Sequence, residues 1–270
     1  MKDLHIHTKY SDGEFDEKQI LEQIENAEIT EFAICDHDTI TGSQKVFELL
    51  KKQNKKVIFH SGIELTCQLN HFDTSINMHI LFYDFDYECL ALKEIISEIS
   101  YLRKKRISQM VNYVQDKLKI SIPQSMICKE FQETNSFGKP HLFKIIAKLC
   151  PCDRTLYYDI MDKFDSSAFK LDAEKTIQKL APYGLLVLAH PAEIMKEYNF
   201  DLQAIEKIVL YLKKAGLKGI ETHHSSHTKQ LQRQLSALAQ KHMLFETTGS
   251  DFHGPKAKPN AVLGQTEKVI

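Results

Sequence analysis

Two histidines one residue apart open the chain, His5 and His7 in Asp3-Leu4-His5-Ile6-His7, and Asp12 follows in a loop that ends at Gly13. Alternate residues of a β-strand share a face, so the two imidazoles stand side by side with a carboxylate close behind. Imidazole suits zinc, manganese or iron, and carboxylate suits manganese or magnesium. The mixed set reads as a metal site open to a substrate oxygen. More potential ligands follow: Asp36-His37-Asp38, Glu64, His79, His190, Glu221 with His224 and His227 beyond it, then Asp251 and His253. Each alone has a structural alternative, since an Asp after a strand can cap a helix and a His before proline can be a turn residue. Together, each at a strand end, they point to one site. Six histidines (His5, His7, His37, His79, His190, His253) and three carboxylates (Asp12, Glu64, Asp251) supply nine donors. That is too many for one ion that keeps a water position, so two or three divalent ions are expected.

The elements that must position these residues follow from hydrophobic periodicity. Ile20, Leu21, Ile24 and Ala27 predict a helix between Asp16 and Glu28, and Glu31 to Asp36 reads as a short apolar strand. Thr41 to Gln53 reads as helix, Val57 to Leu65 as a strand broken by Gly62, and Met78 to Tyr83 as a fourth strand. From about Tyr87 the texture turns helical, first in a long stretch to Lys119 and then in shorter patterns through Asp165. Beyond Asp172, a good N-cap, helices and strands alternate again: strands Leu185 to Ala189, Lys218 to Thr222 and Met243 to Gly249, helices Asp201 to Ala215 and Thr228 to His242. Seven strands separated by helices argue a parallel sheet. Because a special residue follows nearly every strand, a closed barrel is preferred over an open sheet, whose site would gather at one crevice. The expected fold is α/β, a distorted (β/α)7 barrel from residues 1–86 and 172–270, with a small helical domain inserted at 87–171.

Composition narrows the functional classes. The 270 residues are 43% hydrophobic and 26% charged, as in an ordinary globular protein. Lys and Arg total 35 against 36 Asp and Glu, which leaves no global basic field for duplex DNA. No apolar run is long enough to span a bilayer and the N-terminus enters a His-rich strand in place of a signal segment, so a cytoplasmic protein is expected. The six cysteines form no Cys-x-x-Cys pair, which argues against a zinc ribbon or disulfide framework.

His5-x-His7 with Asp12, Asp36-His37-Asp38-Thr39, Gly62-x-Glu64, Ala189-His190-Pro191, Gly219-Ile220-Glu221 and Gly249-Ser250-Asp251-Phe252-His253 together resemble the polymerase and histidinol phosphatase (PHP) superfamily of metal-dependent phosphoesterases. The resemblance implies a seven-stranded distorted barrel with a trinuclear metal centre. By position it assigns His5, His7, Glu64 and Asp251 to one ion, Glu64, His79 and His190 to a second with Glu64 bridging, and Asp12, His37 and His253 to a third. Manganese is the expected ion, with iron, zinc or magnesium as alternatives.

Within that superfamily, Phe137-Gly138-Lys139-Pro140-His141 looks like the Gly-Arg-Pro-His segment of a branch that removes the 3′-phosphate of nucleoside 3′,5′-bisphosphates and trims RNA from its 5′ end. Lys139 departs from the usual Arg, keeping the charge and losing the bidentate fork. The resemblance implies hydrolysis of a phosphate ester by a metal-bridging hydroxide, on a phosphorylated nucleotide or an RNA 5′ end. Lys139, His141, Arg103 and Arg106 would hold the non-reacting phosphate. Asp36 is expected to orient a ligand or metal-bound water, and His227 is a candidate to protonate the leaving oxygen. The alternatives are a histidinol-phosphate or other small-molecule phosphatase, which keeps the metals and changes the pocket, and a non-catalytic metal-binding module, against which stands the full ligand set.

Overall fold

A computed structural model describes residues 1–53, 56–71, 74–133, 139–149 and 170–266. These fall into two compact units, Met1–Lys93 with Asp172–Ile270, and Glu94–Leu171.

In the first unit, β1 (Lys2–Ile6), β2 (Glu31–Ile34) and β3 (Ile58–His60) form a parallel sheet in that order. The connection between β1 and β2 carries α1 (Glu17–Asn26), and α2 (Thr41–Gln53) leads into β3. Asp16 starts α1 with a capping box: its carboxylate accepts the Lys18 and Gln19 amides, and the Gln19 side chain accepts the Asp16 amide. The apolar faces of both helices close over Ile6, Phe32 and Ile34.

A second sheet holds β4 (Gly62–His71), β5 (Thr74–Tyr83), β6 (Leu171–Asp172), β7 (Leu185–Leu188), β8 (Gly219–His224) and β9 (Phe245–Gly249) in the order β6-β4-β5-β7-β8-β9. Here the structure corrects the all-parallel expectation. β4 and β5 form a ten-residue antiparallel hairpin, registered from Gly62↔Tyr83 to His71↔Thr74, and β5 is antiparallel to β7 as well. No helix separates the third and fourth strands. The hairpin was legible in the alternation of buried Leu65, Cys67 and Leu69 with buried Ile76, Met78 and Ile80, the period of a half-buried strand.

Isolated bridges join the two sheets into a ring. Ile6 pairs with Phe252 beside β9, and His37 pairs with Glu64 on β4. The expected Val57–Leu65 strand is the switch, pairing with β2 as β3 and with β5 as β4. With β3 and β4 as one stave, the ring has seven: β1, β2, β3/β4, β5, β7, β8 and β9. Leu4, Ala33, Cys35, Leu81, Tyr83, Val187 and Ala189, drawn from opposite sides of that ring, pack together as its filling. Tyr83 spans it to donate to the Leu4 carbonyl at 2.9 Å.

Helices α6 (Ala173–Leu180), α7 (Pro191–Tyr198), α8 (Leu202–Ala215) and α9 (Lys229–Lys241) complete this unit, and the second unit supplies α3 (Leu90–Leu118), α4 (Gln124–Glu133) and α5 (Lys139–Leu149). Asp172, Asp201 and Thr228 cap α6, α8 and α9. Helix α7 begins at Pro191, a residue suited to the first helical position. In the second unit Met110, Val114, Leu142 and Ile146 belong to a separate apolar core. Among the described residues no helix is long and apolar enough to cross a membrane.

Candidate metal centre

Glu64, the third residue of β4, stands at the middle of a histidine cluster, and each of its oxygens has its own neighbours. Oε1 is 2.8 Å from His79 Nδ1 and 2.9 Å from His190 Nε2. Oε2 is 3.3 Å from the Nε2 atoms of His5 and His7 and 3.0 Å from His37 Nδ1. Asp251 Oδ1 adds to the second group, 3.2 Å from His7 Nε2 and 3.8 Å from His5 Nε2. A third group forms around half-exposed Asp12, whose Oδ1 is 3.2 Å from His253 Nε2 and whose Oδ2 is 3.6 Å from His37 Nε2. All nine residues singled out as potential ligands therefore meet.

The placement follows from strand geometry. His5 and His7 project to one face with ring centroids 5.1 Å apart, as alternation demands. Glu64 and His79 lie within their strands, not at the ends, because the β4–β5 hairpin runs on past the site. His190 and Asp251 both adopt positive φ, 24° and 56°, a conformation unusual for non-glycine residues that recurs at functional sites.

Buried atoms without hydrogen-bond partners test whether these residues fit metal ions. His5 Nε2, both nitrogens of His7, His37 Nδ1, His190 Nδ1 and Glu64 Oε2 are such atoms. A single orphan of this kind costs roughly 1–3 kcal/mol, and a convergent set of imidazole and carboxylate orphans is relieved by cations. His7, Asp12, His37 and His253 offer ligand atoms all within 4.8 Å of one another, as do His5, His7 and Glu64. The donor set fits divalent metals.

Charge in the cluster is strongly coupled. Burial pushes the His7 imidazole down, but the adjacent carboxylates of Asp251 and Glu64 carry it up to about 10. His190 likewise rises to about 9 through Glu64, against its burial. His5 is raised well above its ordinary value by Glu64, Glu221 and Asp251 despite complete burial. His37 goes the other way, to about 4, because burial and the neighbouring His7 and His79 outweigh Glu64. Burial notwithstanding, the surrounding imidazoles hold Glu64 and Asp251 well below the carboxylate range.

Residues behind the cluster fix its members. Glu221 Oε1 is 3.1 Å from His5 Nδ1, and its Oε2 accepts the His190 amide at 2.7 Å. A proton on His5 Nδ1 leaves Nε2 as the coordinating atom. Asp3 accepts the Ser250 amide and hydroxyl and the Gly264 amide, anchoring the segment that carries Asp251. Gly249 leaves no room for a side chain: a Cβ there would lie 2.2 Å from His5 Cβ and 2.8 Å from Glu221 Oε1. Gly249→Ala is therefore expected to cost about 2 kcal/mol or more of stability, read as a lowered denaturant midpoint. An unchanged midpoint would show that β1 and β9 can separate freely.

Asp36 bears on a ligand through the loop it binds, while His227 departs from its expected role. Asp36 does not reach toward the cluster with a free oxygen. Oδ1 accepts from the Thr8 amide and Ser11 hydroxyl at 2.7 Å each, and Oδ2 accepts from the Thr8 hydroxyl at 2.6 Å; Asp36 holds the loop that presents Asp12. His227 is unsuited to give a proton: its Nδ1 is 2.9 Å from the Thr222 carbonyl, Ala192 N–H points at its Nε2, and burial with His224 nearby lowers it to about 4. His224 is fully buried with Nε2 3.2 Å from Asp251 Oδ2. Lys258, which no sequence signal marked, forms an ion pair with the same oxygen.

Arg103 and Arg106 lie one turn apart on α3, both half-buried in the second unit. Lys139 and His141 open α5, and their side chains lie outside the described residues.

A PHP domain family model matches residues 3–246. The phosphoribosyl 1,2-cyclic phosphate 1,2-diphosphodiesterase of Eggerthella lenta is 26% identical over 262 residues, covering 94% of each chain. A 5′-3′ exoribonuclease of Haemophilus influenzae is 24% identical over 94% of this chain and 90% of its own. A solved Bifidobacterium adolescentis chain, assigned as a metal-dependent phosphoesterase, superposes with a TM-score of 0.72 at 22% identity, covering 99% of this chain and 92% of that one. That likeness bears on the fold alone.

Proposed function

The chain belongs to the PHP domain family, and from that premise we propose that this metal-dependent phosphoesterase removes the 3′-phosphate of nucleoside 3′,5′-bisphosphates or trims RNA from its 5′ end. The observation that carries a multi-metal reading is the division of Glu64, with His79 and His190 at one oxygen and His5, His7 and His37 at the other. His5, His7, Glu64 and Asp251 would hold one ion, Glu64, His79 and His190 a second, and Asp12, His37 and His253 a third, with manganese the expected metal. Such ions supply Lewis acidity toward phosphoryl oxygens and lower the pKa of water toward about 7. Around them the chain's own residues orient and insulate. Glu221 fixes the tautomer of His5, Asp36 fixes the loop bearing Asp12, and the buried walls exclude water. No side chain need act as nucleophile, and His227, neutral and bonded at both nitrogens, serves as a strut.

The Gly138-Lys139-Pro140-His141 segment supports a second phosphate on the substrate, and the likeness to the Haemophilus exoribonuclease supports an RNA end as substrate. A charge-assisted contact is worth about 1.5–3 kcal/mol, so Lys139→Ala should lower kcat/KM on a bisphosphate by roughly 10- to 100-fold and spare a monophosphate. Equal loss on both would remove Lys139 from substrate recognition. A second reading, hydrolysis of a ribose cyclic phosphate diester, is favoured by the whole-length likeness to the Eggerthella enzyme. The deciding experiment offers the manganese-loaded protein adenosine 3′,5′-bisphosphate, a 5′-phosphorylated RNA oligomer, a ribose cyclic phosphate and histidinol phosphate, with Asp251→Ala as control. Turnover of the first two supports the proposal; exclusive turnover of either of the others replaces it.

A further inference from the structure

We propose that Lys258 is a substrate-binding residue that holds a phosphoryl oxygen at the edge of the metal cluster, at the mouth of a cavity no sequence motif announced. The cavity, about 920 Å³, is lined among others by Glu193, Ser226, Lys258 and Asn260. Three of these walls touch the cluster: Glu193 Oε2 is 3.4 Å from His190 Nδ1, Ser226 Oγ is 2.7 Å from His224 Nδ1, and Lys258 Nζ pairs with Asp251 Oδ2. Lys258 thus lines the cavity with one part of its side chain and pairs with a proposed metal ligand through its ammonium.

Asp251 divides its oxygens. Oδ1 faces His5 and His7, while Oδ2 faces His224 and Lys258, so the lysine need not leave when Oδ1 is engaged by a metal. An ammonium carries three donors. One meets Asp251, Glu193 stands at 4.0 Å, and the side chain is 34% exposed, which leaves it a donor for the cavity.

The chain invests heavily in fixing this lysine. Glu14 accepts the amides of Lys256 and Ala257, Gly254 at φ 103° sits where a Cβ would strike Glu14, and the Lys258 amide donates to the Gly254 carbonyl at 3.0 Å. A cation needed only to neutralise Asp251 would not require so rigid a loop. A fixed positive charge beside the metals is suited to a phosphoryl group, whose oxygens carry the negative charge that shifts during ester cleavage. Lys258 contributes charge and no proton in this role.

The inference rests on the phosphoesterase reading, so its test includes a measurement that needs no turnover. Manganese-loaded wild type, Lys258→Met and Lys258→Arg are compared for metal content, for binding of inorganic phosphate by calorimetry, and for kcat/KM on the substrate that wild type accepts. The expected result is unchanged metal content in Lys258→Met, phosphate binding weakened about 10-fold or more, and kcat/KM lowered by about 100-fold or more. Lys258→Arg, which keeps the charge, should recover most of the phosphate binding. Loss of metal from Lys258→Met in step with activity would overturn the proposal and make the lysine a prop for Asp251. Unchanged phosphate binding with metal retained would overturn it too. If wild type hydrolyses none of the substrates, the phosphoesterase reading falls, and the phosphate-binding comparison still decides the role of Lys258.

Discussion

Glu64→Gln is expected to strip two of the ions and reduce phosphoesterase activity by about 10³-fold or more. The substitution preserves size while removing the negative charge, and it turns an amide N–H₂ toward one of the two histidine groups. Wherever that amide points, a group of imidazoles loses its anionic partner: His79 and His190 at Oε1, or His5, His7 and His37 at Oε2. Complete burial makes the effect large, since no solvent can take over the role. Elemental analysis after manganese loading checks this directly. Asp12→Asn provides the contrast, because Asp12 touches only the group with His7, His37 and His253 and should cost one ion. Equal stoichiometries for the two variants would show that Glu64 does not bridge.

The second large effect is a pH-dependent exchange of protons for metal. His7 and His190 titrate near about 10 and about 9 in the folded chain, against 6.5 for an ordinary imidazole. A raised pKa contributes stability that is complete below pH 6.5 and is lost as pH rises through those folded values. Glu221, depressed from 4.5 to about 2, contributes stability that is complete above pH 4.5 and is lost as pH falls through about 2. His37 and His227, lowered to about 4, contribute stability that is complete above pH 6.5 and is lost as pH falls through about 4, so chelator-treated protein should be most heat-resistant near pH 6.5 and soften toward both pH 4.5 and pH 9. Metal binding requires neutral imidazoles, so its benefit runs oppositely. At pH 8, manganese at about 1,000 times its dissociation constant should raise Tm by roughly 10 °C, and at pH 6 by much less. Addition of manganese in weak buffer should also release protons. A larger thermal gain at pH 6 than at pH 8, or no proton release, would contradict the assigned ionisation of His7 and His190.

What the sequence reveals of this site depends on how regular the backbone is around each residue. His5 and His7 obey simple alternation and so declare their shared face, and Asp172, Asp201 and Thr228 announce their helices by capping chemistry. His224 is hidden by an irregularity. Alternation along β8 would place His223 on the face of Glu221, but the β8–β9 register shifts between Glu221 and His223, and His224 turns inward to Asp251 instead. For β4 and β5 the alternation is legible but the antiparallel pairing is not, because a period of two marks a strand without giving its direction. Lys258 has no local signal at all. Its place is set by Glu14 and Asp251, residues far away or in an unrelated turn of chain, and only the folded loop brings them together.

The ring of seven staves has two weak joints, each reduced to an isolated bridge, and both are made by the backbone of the residues that form the centre. At one, His7 N–H donates to Phe252 and Asp251 N–H to His5; at the other, Glu64 N–H donates to Asp36 and Asp38 N–H to Glu64. The side chains of His5, His7, Glu64 and Asp251 then converge above those same joints. An ion held by His7 and Asp251 would be a rivet through the first joint, and at the second His37 and Glu64, 3.0 Å apart, would be pinned through the neighbouring ions that each helps to hold. The hoop and its tool are thus fastened by the same pins, so a ligand cannot be exchanged to retune the chemistry without also loosening the hoop.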